Sequence, residues 1–201
     1  MGFLICESAM STAENIERHT LPFLAALTDD WPTKVRMQWQ TFDDRPEKSN
    51  RPWTKYASHS EASSDLHAAN VKGSGIFVTV NETDGQGRRL ENVVHIRAFW
   101  ADFDGVDPAL DDLPLQPSIV VQSRAGKHLY WLSRGDVAFD EHRRIQERIA
   151  LALGSDPNVK DASRVLRVPG YYHHKGSPFL VSLVEANGDL RYTFAQMKVA
   201  F

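Results

Sequence analysis

Two carboxylates one residue apart close an apolar stretch of this chain, in the sequence FWADFDG at residues 99–105. Side chains two residues apart in a strand point to the same face, so Asp102 and Asp104 would lie side by side, with Phe103 on the other face. Neighbouring carboxylates repel each other, and the arrangement is costly unless a cation neutralises it. Mg²⁺ or Mn²⁺ fits, because hard cations bind carboxylate oxygens and keep positions open for water or phosphate. Taken alone, the stretch is also what a solvated strand end followed by an Asp-Gly turn would give.

A second group of polar side chains follows in SRAGKHLYW, residues 123–131. Two short apolar strands flank the four residues RAGK, which predicts a β-hairpin. The turn would bring Ser123 close to His128, and Arg124 and Lys127 would lie at its tip, where their charges suit a triphosphate. A plain hairpin with a polar turn is the alternative, but so many phosphate-binding residue types close together favour a phosphate site.

The third group is SDPNVKDASRVLRVPGYYHHK, residues 155–175. Either Asp156 or Asp161 could complete a metal site begun by the two earlier aspartates. The segment also carries three cations, Arg164, Arg167 and Lys175. A charged loop after a helix is the alternative interpretation. The adjacent histidines His173 and His174 would point apart in a strand, so they fit loop or template contacts better than a metal pair.

Composition limits the classes of function. The chain has 201 residues, of which 42% are hydrophobic, and this predicts one folded domain of ordinary size. The net charge of −3 excludes a uniformly basic surface, yet residues 123–175 hold ten Lys or Arg against six Asp or Glu, which suits a local phosphate-binding face. The single cysteine, Cys6, excludes an intrachain disulfide and a cysteine zinc cluster, and it favours a reducing, cytoplasmic environment. No apolar run is long enough to span a bilayer, so we expect no membrane partner.

The pattern of apolar residues predicts a mixture of helices and antiparallel hairpins, which is the α+β class. We expect Pro22 to kink or split the first helix. The stretch that ends in the two aspartates is predicted to be one long strand. The predicted helices are 11–27, 60–70 and 140–153, and the predicted strands outside the hairpin are 35–42, 73–81, 93–104, 165–168 and 179–185.

In this order, the three groups resemble the motifs of the archaeo-eukaryotic primase superfamily, and within it the RepB-like primases and primase-polymerases of plasmids, phages and integrated elements. These proteins have a DxD pair, a hairpin motif of the form S-x-x-x-x-H, and a later aspartate. The matching residues are Asp102 and Asp104, then Ser123 and His128, then Asp156 or Asp161.

The end of the third group strengthens the resemblance. The sequence RVLRVPG at residues 164–170, followed by Lys175, is similar to the segment that closes this module in members from mobile elements. The family's spacing between the third acid and the proline of that segment favours Asp156 over Asp161.

The resemblance implies an α+β primase core with a central, mainly antiparallel, RRM-like sheet flanked by helices. Residues 13–201 would form a single catalytic domain, made of an N-terminal αβ unit at about 13–90 and a catalytic unit at about 91–185. Residues 1–12 would be disordered, or some of them would precede the natural initiator methionine, for which Met10 is a candidate.

The activity implied is DNA-dependent primer synthesis on single-stranded DNA by two-metal nucleotidyl transfer. The implied catalytic residues are Asp102, Asp104, Asp156 and His128, of which the three aspartates, with Asp161 as an alternative third acid, would hold Mg²⁺ or Mn²⁺. The implied nucleotide-binding residues are Ser123, Arg124, Lys127, His128, Arg164, Arg167 and Lys175. The partners implied are the template, NTPs or dNTPs, and a replicative helicase or a helical C-terminal domain.

Three other functions remain open at this stage. A metal-dependent nuclease would use the same acids without a triphosphate site. A rolling-circle initiator would use a tyrosine of YYHH, residues 171–174, as its nucleophile, although its usual histidine pair has one residue between the two. A non-catalytic single-strand-binding module would stack bases on Tyr130 and Trp131.

Overall fold

The computed structural model describes residues 11–31, 33–105 and 108–201, and it shows helices packed on two larger, mainly antiparallel sheets. The helices are Thr12–Asn15 (α1), Leu21–Thr28 (α2), His59–Val71 (α3), Phe139–Leu153 (α4) and Phe194–Ala200 (α5). The strands are Arg36–Asp43 (β1), Thr54–Ser58 (β2), Ser74–Thr79 (β3), Glu82–Thr83 (β4), Val93–His95 (β5), Ala98–Asp102 (β6), Ile119–Gln122 (β7), Lys127–Ser133 (β8), Val165–Arg167 (β9), Tyr172–His173 (β10), Phe179–Leu180 (β11), Ser182–Ala186 (β12) and Arg191–Tyr192 (β13). The predicted α+β class is confirmed.

The first sheet has the strand order β2-β1-β3-β9, and every pairing in it is antiparallel. Its outer strand β9 comes from the segment with the two arginines, about ninety residues after β3 in the chain. Helix α3 packs on this sheet and begins with a capping box, in which the Ser58 hydroxyl accepts from the Glu61 N–H and the Glu61 carboxylate accepts from the Ser58 N–H. This pairing places β9 at the edge of the sheet that lies near the aspartates of the first and third sequence groups.

The second sheet contains β12, β7, β8 and β13, and β6 pairs with the other edge of β8. Strands β7 and β8 form the predicted hairpin, with the turn at residues 123–126. In the antiparallel pairing of β6 with β8, Asp102 lies opposite His128. Register alone therefore brings an acid of the first sequence motif to the histidine of the second.

The hydrophobic core has two layers, because neighbouring side chains of β6 and β8 point to opposite faces of the sheet. Trp100 and Tyr130 belong to the layer shared with the first sheet. Phe99 and Trp131 belong to the layer that α4 and α5 cover. A sheet buried on both faces needs near-continuous apolar strands, which explains the unbroken runs in the sequence.

The predicted strand 93–104 is wrong in its extent. The structure has two strands there, β5 and β6, with a break at residues 96–97. The side-chain oxygen of Asn81 accepts hydrogen bonds from the backbone N–H groups of Arg97 (2.9 Å) and Ala98 (3.4 Å), so the chain turns at this point. The second strand ends at Asp102, and Asp104 lies in the bend that follows.

The first helical segment runs from Thr12 to Thr28 and is not uniform. Of the expected disordered start, residues 1–12, Ser11 caps this segment and Thr12 begins it, and residues 1–10 lie outside the described residues. A π-helical turn, Ile16–Thr20, precedes Pro22, and the N–H of Leu21 bonds to the carbonyl of Ile16. Proline has no N–H to donate, and the wider turn before it divides the helix, which is one of the two outcomes expected at Pro22. No helix in the described part of the chain is long and apolar enough to cross a membrane.

Candidate active site

The three sequence groups meet in one cleft of about 430 Å³ between the two sheets. Strands β6 and β8 form one wall, β1, β3 and β9 form the other, and the loop after α4 lies along the rim. The acids that line the cleft are Asp102, Asp104, Asp156 and Asp161. The cations that line it are Arg88, Arg164, Arg167 and Lys175. Ser123 and His128 also line it, so residues distant in the chain are gathered as the sequence predicted.

Asp102 is half-buried, and 19% of its side chain is exposed. Burial raises the pKa of its carboxyl, and the nearby charges of Asp104 and Asp156 raise it further, while His128 opposes the shift. The Nε2 atom of His128 lies 3.4 Å from the Asp102 carboxylate. Burial lowers the pKa of His128 in turn, so this histidine offers a neutral ring rather than a full counter-charge.

The third acid is held close to the first through the backbone. The N–H of Asp156 donates to the carbonyl of Asp102 at 2.9 Å. The indole N–H of Trp100 donates to the carbonyl of Val159 at 2.8 Å, which ties the same loop to β6 a second time. The Asp156 carboxylate itself accepts hydrogen bonds only from the backbone and amide of Asn158 among the hydrogen bonds of the described residues. Its charge is therefore available to the cleft.

Asp161, the alternative third acid, is engaged differently. Its carboxylate forms an ion pair with Arg164 at 2.9 Å and accepts a hydrogen bond from Ser163 at 2.8 Å. Its negative charge is already matched by a neighbouring cation. This geometry favours Asp156 as the acid that would join Asp102 and Asp104.

The carboxylates of Asp102, Asp104 and Asp156 suit a hard cation, although the three side chains do not surround one point. In the parts of the chain that the structure describes, no three His, Cys, Asp or Glu side chains are gathered closely enough to hold an ion as they stand. The negative charges of Asp104 and Asp156 nevertheless add to the effect of burial in raising the pKa of Asp102. Asp104 is exposed, so no packing fixes its side-chain rotamer. A divalent ion would relieve this repulsion and could draw the carboxylates together.

The hairpin contributes less to the cleft than its sequence suggests. The Ser123 hydroxyl donates to the carbonyl of Gly126 at 3.2 Å, within the turn. The guanidinium of Arg124 points away from the acids and donates to the carbonyls of Lys175 and Ser177. Neither Arg124 nor Lys127 is among the residues lining the cleft. Arg124 thus joins the hairpin to the closing segment.

Arg167 makes a buried, bidentate ion pair with Asp44, a residue that the sequence did not single out. The two N···O distances are 2.8 and 2.7 Å, and the side chains are 10% and 2% exposed. Burial opposes ionisation of Asp44, but the hydrogen bonds and charge of Arg167 outweigh it and hold the pKa of that carboxyl below its usual value. The positive charge of Arg167 is therefore largely matched inside the protein.

His173 lies in the cleft with both ring nitrogens lacking a hydrogen-bond partner among the described residues. The residue is 9% exposed. Burial, followed by the charge of Arg167, lowers its pKa to about 4, so the ring is neutral near pH 7. Its neighbour His174 uses its backbone N–H to bond Asp44 at 3.1 Å.

Several cleft residues escaped the sequence reasoning. Phe42, Phe77 and Arg88 line the cleft and lie on β1, β3 and the loop after β4. A weak signal existed for Asp44, because two aspartates also end β1 there, as two end the FWADFDG stretch. Nothing comparable marks the two phenylalanines, which look like ordinary strand residues in the sequence.

The residues proposed for the rival functions are placed unfavourably for them. Tyr130 and Trp131 are both 0% exposed, so they are core residues and cannot stack bases as the single-strand-binding alternative requires. Tyr171 is buried and its hydroxyl lies 3.1 Å from Nε2 of His59. Neither tyrosine of YYHH lines the cleft that contains the acids.

Comparison with known proteins gives similarities in sequence and in fold. Residues 104–198 match the profile of the RepB DNA-primase N-terminal domain. A replication protein of Clostridium perfringens is 28% identical over 130 residues, which cover 55% of this chain and 32% of that protein. The chain thus spans about a third of the length of this curated relative.

Solved structures show a similar fold. The AEP domain of the primase-polymerase of cyanophage S-2L superposes with a TM-score of 0.74 at 19% identity, over 90% of this chain and 96% of that one. The catalytic domain of primase RepB′ in complex with initiator DNA superposes with a TM-score of 0.69 at 18% identity, over 94% and 93% of the two chains. The chain therefore has the archaeo-eukaryotic primase fold, and its residues 104–198 are similar to the RepB DNA-primase N-terminal domain.

Proposed function

We propose that this protein synthesises short primers on single-stranded DNA by nucleotidyl transfer in the cleft between its two sheets. The observation that carries the proposal is the convergence of Asp102, Asp104 and Asp156 with His128 in one cleft whose other wall is rich in cations. The RepB-type profile and the primase fold support the same reaction class. Residues 13–201 would act as a single catalytic domain, in the replication of a plasmid, phage or integrated element.

Asp102, Asp104 and Asp156 would hold Mg²⁺ or Mn²⁺. Such ions supply charge neutralisation at the attacking 3′-oxygen and at the pyrophosphate leaving group. The protein contributes position: β6 fixes Asp102, and the Asp156–Asp102 backbone hydrogen bond fixes the third acid relative to it. Asp161 stays the alternative third acid.

The triphosphate would lie along the rim formed by the hairpin and the closing segment. His128 is the hairpin residue best placed for it, because its Nδ1 is buried and has no hydrogen-bond partner among the described residues. Lys175 supplies positive charge from the closing segment. Ser123, Arg124 and Lys127 would form part of this rim. The ion pairs of Arg164 with Asp161 and of Arg167 with Asp44 would hold the two arginine side chains in position.

Unprimed synthesis on a single-stranded template tests the proposal. The protein would be incubated with the template, labelled NTPs or dNTPs, and Mg²⁺ or Mn²⁺, beside the variant Asp102→Asn/Asp104→Asn. Short labelled products from the wild type and none from the variant are expected. A matched control, Asp65→Asn on the outer face of α3, should keep full activity.

Three other results would contradict or narrow the proposal in different ways. Template cleavage without nucleotides, abolished by the same double variant, would make the protein a metal-dependent nuclease. A covalent protein–DNA adduct would make it a nicking initiator. Extension of a supplied primer without unprimed synthesis would restrict the activity to that of a polymerase. Once primer synthesis is established, co-purification would identify any helicase partner.

A further inference from the structure

Two aromatic side chains lie in the cleft on the wall opposite the acids. Phe42 is the next-to-last residue of β1 and Phe77 lies in β3, and both line the same cleft as Asp102. In the β1–β3 register Phe42 pairs with Gly75, which makes Phe77 its diagonal neighbour on one face of the sheet. Their ring centroids are 5.2 Å apart with an interplanar angle of 75°. Both side chains are half-buried, so part of each ring remains open to the cleft.

Each ring already carries a planar cation on its face. The guanidinium of Arg167 lies 4.5 Å from the centre of Phe77, and Asp44 fixes it there. The guanidinium of Arg88 lies 5.8 Å from the centre of Phe42. Arg88 comes from the loop after β4 and makes no ion pair with a carboxylate of the described residues. A base can stack on this face of Phe42 only if the Arg88 guanidinium moves aside, and the charge of Arg88 is then available to an anion.

A planar ring beside an unpaired guanidinium matches one nucleotide of a single strand. The base can stack on the aromatic ring, and the adjoining phosphate can meet the arginine. Stacking of this kind tolerates any base, because every base has a π-face. A template strand needs that tolerance, since each of its bases must pass the site.

We propose that Phe42, supported by Phe77 and flanked by Arg88, is a stacking platform for a base of the single-stranded template. The identification of the strand as the template rests on the proposed function. The platform lies across the cleft from the acids, where a strand paired with the new product would lie. The platform binds base and phosphate together, without reading sequence.

Binding of a labelled single strand tests the platform without catalysis. Fluorescence anisotropy with a mixed-sequence 5′-labelled oligonucleotide, in the absence of nucleotides, would compare Phe42→Leu with Phe42→Trp. Leucine keeps an apolar side chain but removes the ring, so the Kd should rise about tenfold. Tryptophan keeps a stacking face and should hold the Kd near that of the wild type. Phe139→Leu is the matched control, because Phe139 is 41% exposed on α4, away from the cleft.

A second variant guards against misfolding of the first. Arg88→Gln alters a loop side chain and leaves the strands intact. It should weaken binding at low salt and reduce the slope of log Kd against log salt by about one, as expected for one lost phosphate contact. Thermal unfolding of each variant would establish that the fold is intact.

The outcomes separate the platform from the wider function. Equal affinity of Phe42→Leu and wild type would overturn the platform. An unchanged DNA affinity with a raised KM for nucleotide in primed extension would assign the ring to the incoming nucleotide and also overturn it. If Phe42→Leu binds DNA more weakly than the wild type, and the wild type itself makes no primers, the platform would stand and only the primase activity would be refuted.

Discussion

Replacing Asp44 with leucine should destabilise the protein strongly, because it would leave the guanidinium of Arg167 buried without a counter-charge. The two side chains are 2% and 10% exposed and share two hydrogen bonds of 2.7 and 2.8 Å. Removing one partner of a buried ion pair costs about 3–5 kcal/mol. For a chain of this size, that loss corresponds to a fall in Tm of about 6–20 °C. Urea unfolding and calorimetry would measure both quantities.

The double variant Asp44→Leu/Arg167→Met separates the ion pair from simple packing. Replacing both charged partners removes the unpaired charge, so the double variant should recover at least half of the lost free energy of unfolding. It should not recover all of it, because the N–H of His174 also donates to Asp44 and would lose its acceptor. A change below about 1 kcal/mol in Asp44→Leu, or additive effects in the double variant, would refute the reasoning.

Three further predictions concern stability, local space and the third acid. Burial lowers the pKa of His142 to about 4, so the unfolded state binds more protons than the folded state between about pH 6.5 and pH 4. The free energy of unfolding should stay level above about pH 6.5 and fall by up to about 3 kcal/mol as the pH is lowered to about 4. Urea unfolding at several pH values should show that His142→Gln lacks this part of the pH dependence. Gly75→Ala would place a methyl group against the Arg167 guanidinium and 2.7 Å from the Asp44 carboxylate, so it should lower both Tm and primer synthesis. Gly135→Ala meets no atom within 4 Å but lies at a φ of +82°, so it should lower Tm through backbone strain and leave primer synthesis unchanged. Asp156→Asn should reduce primer yield at least about 100-fold while Asp161→Asn reduces it far less, and a reversed order would move the third acid to Asp161.

Much of the site could be predicted because its residues lie in short local patterns. The aspartates of FWADFDG, the hairpin and the RVLRVPG segment each show their chemistry in a few neighbouring residues, and the structure places acids and cations from all three in one cleft. The fold class followed from apolar periodicity. The pairing of Asp102 with His128 then needs only the hairpin and one neighbouring strand.

The missed features depend on contacts between distant residues. Asp44 and Arg167 are 123 positions apart, and nothing in either local sequence indicates the pairing. The break between β5 and β6 comes from a side-chain acceptor on Asn81, which competes with the ladder hydrogen bonds that periodicity assumes. Arg124 looked like a phosphate ligand, but its guanidinium bonds to two carbonyls of a segment that only the tertiary fold brings near.

The carboxylates of this cleft are proposed to hold the divalent ions of a nucleotidyl transfer. Electron paramagnetic resonance of Mn²⁺, titrated into the protein with and without a nucleoside triphosphate, measures this directly. Wild type should bind Mn²⁺ and bind it more tightly when the nucleotide is present, and Asp102→Asn/Asp104→Asn should lose that binding while keeping its Tm. Equal Mn²⁺ binding by the wild type and the double variant would contradict the account.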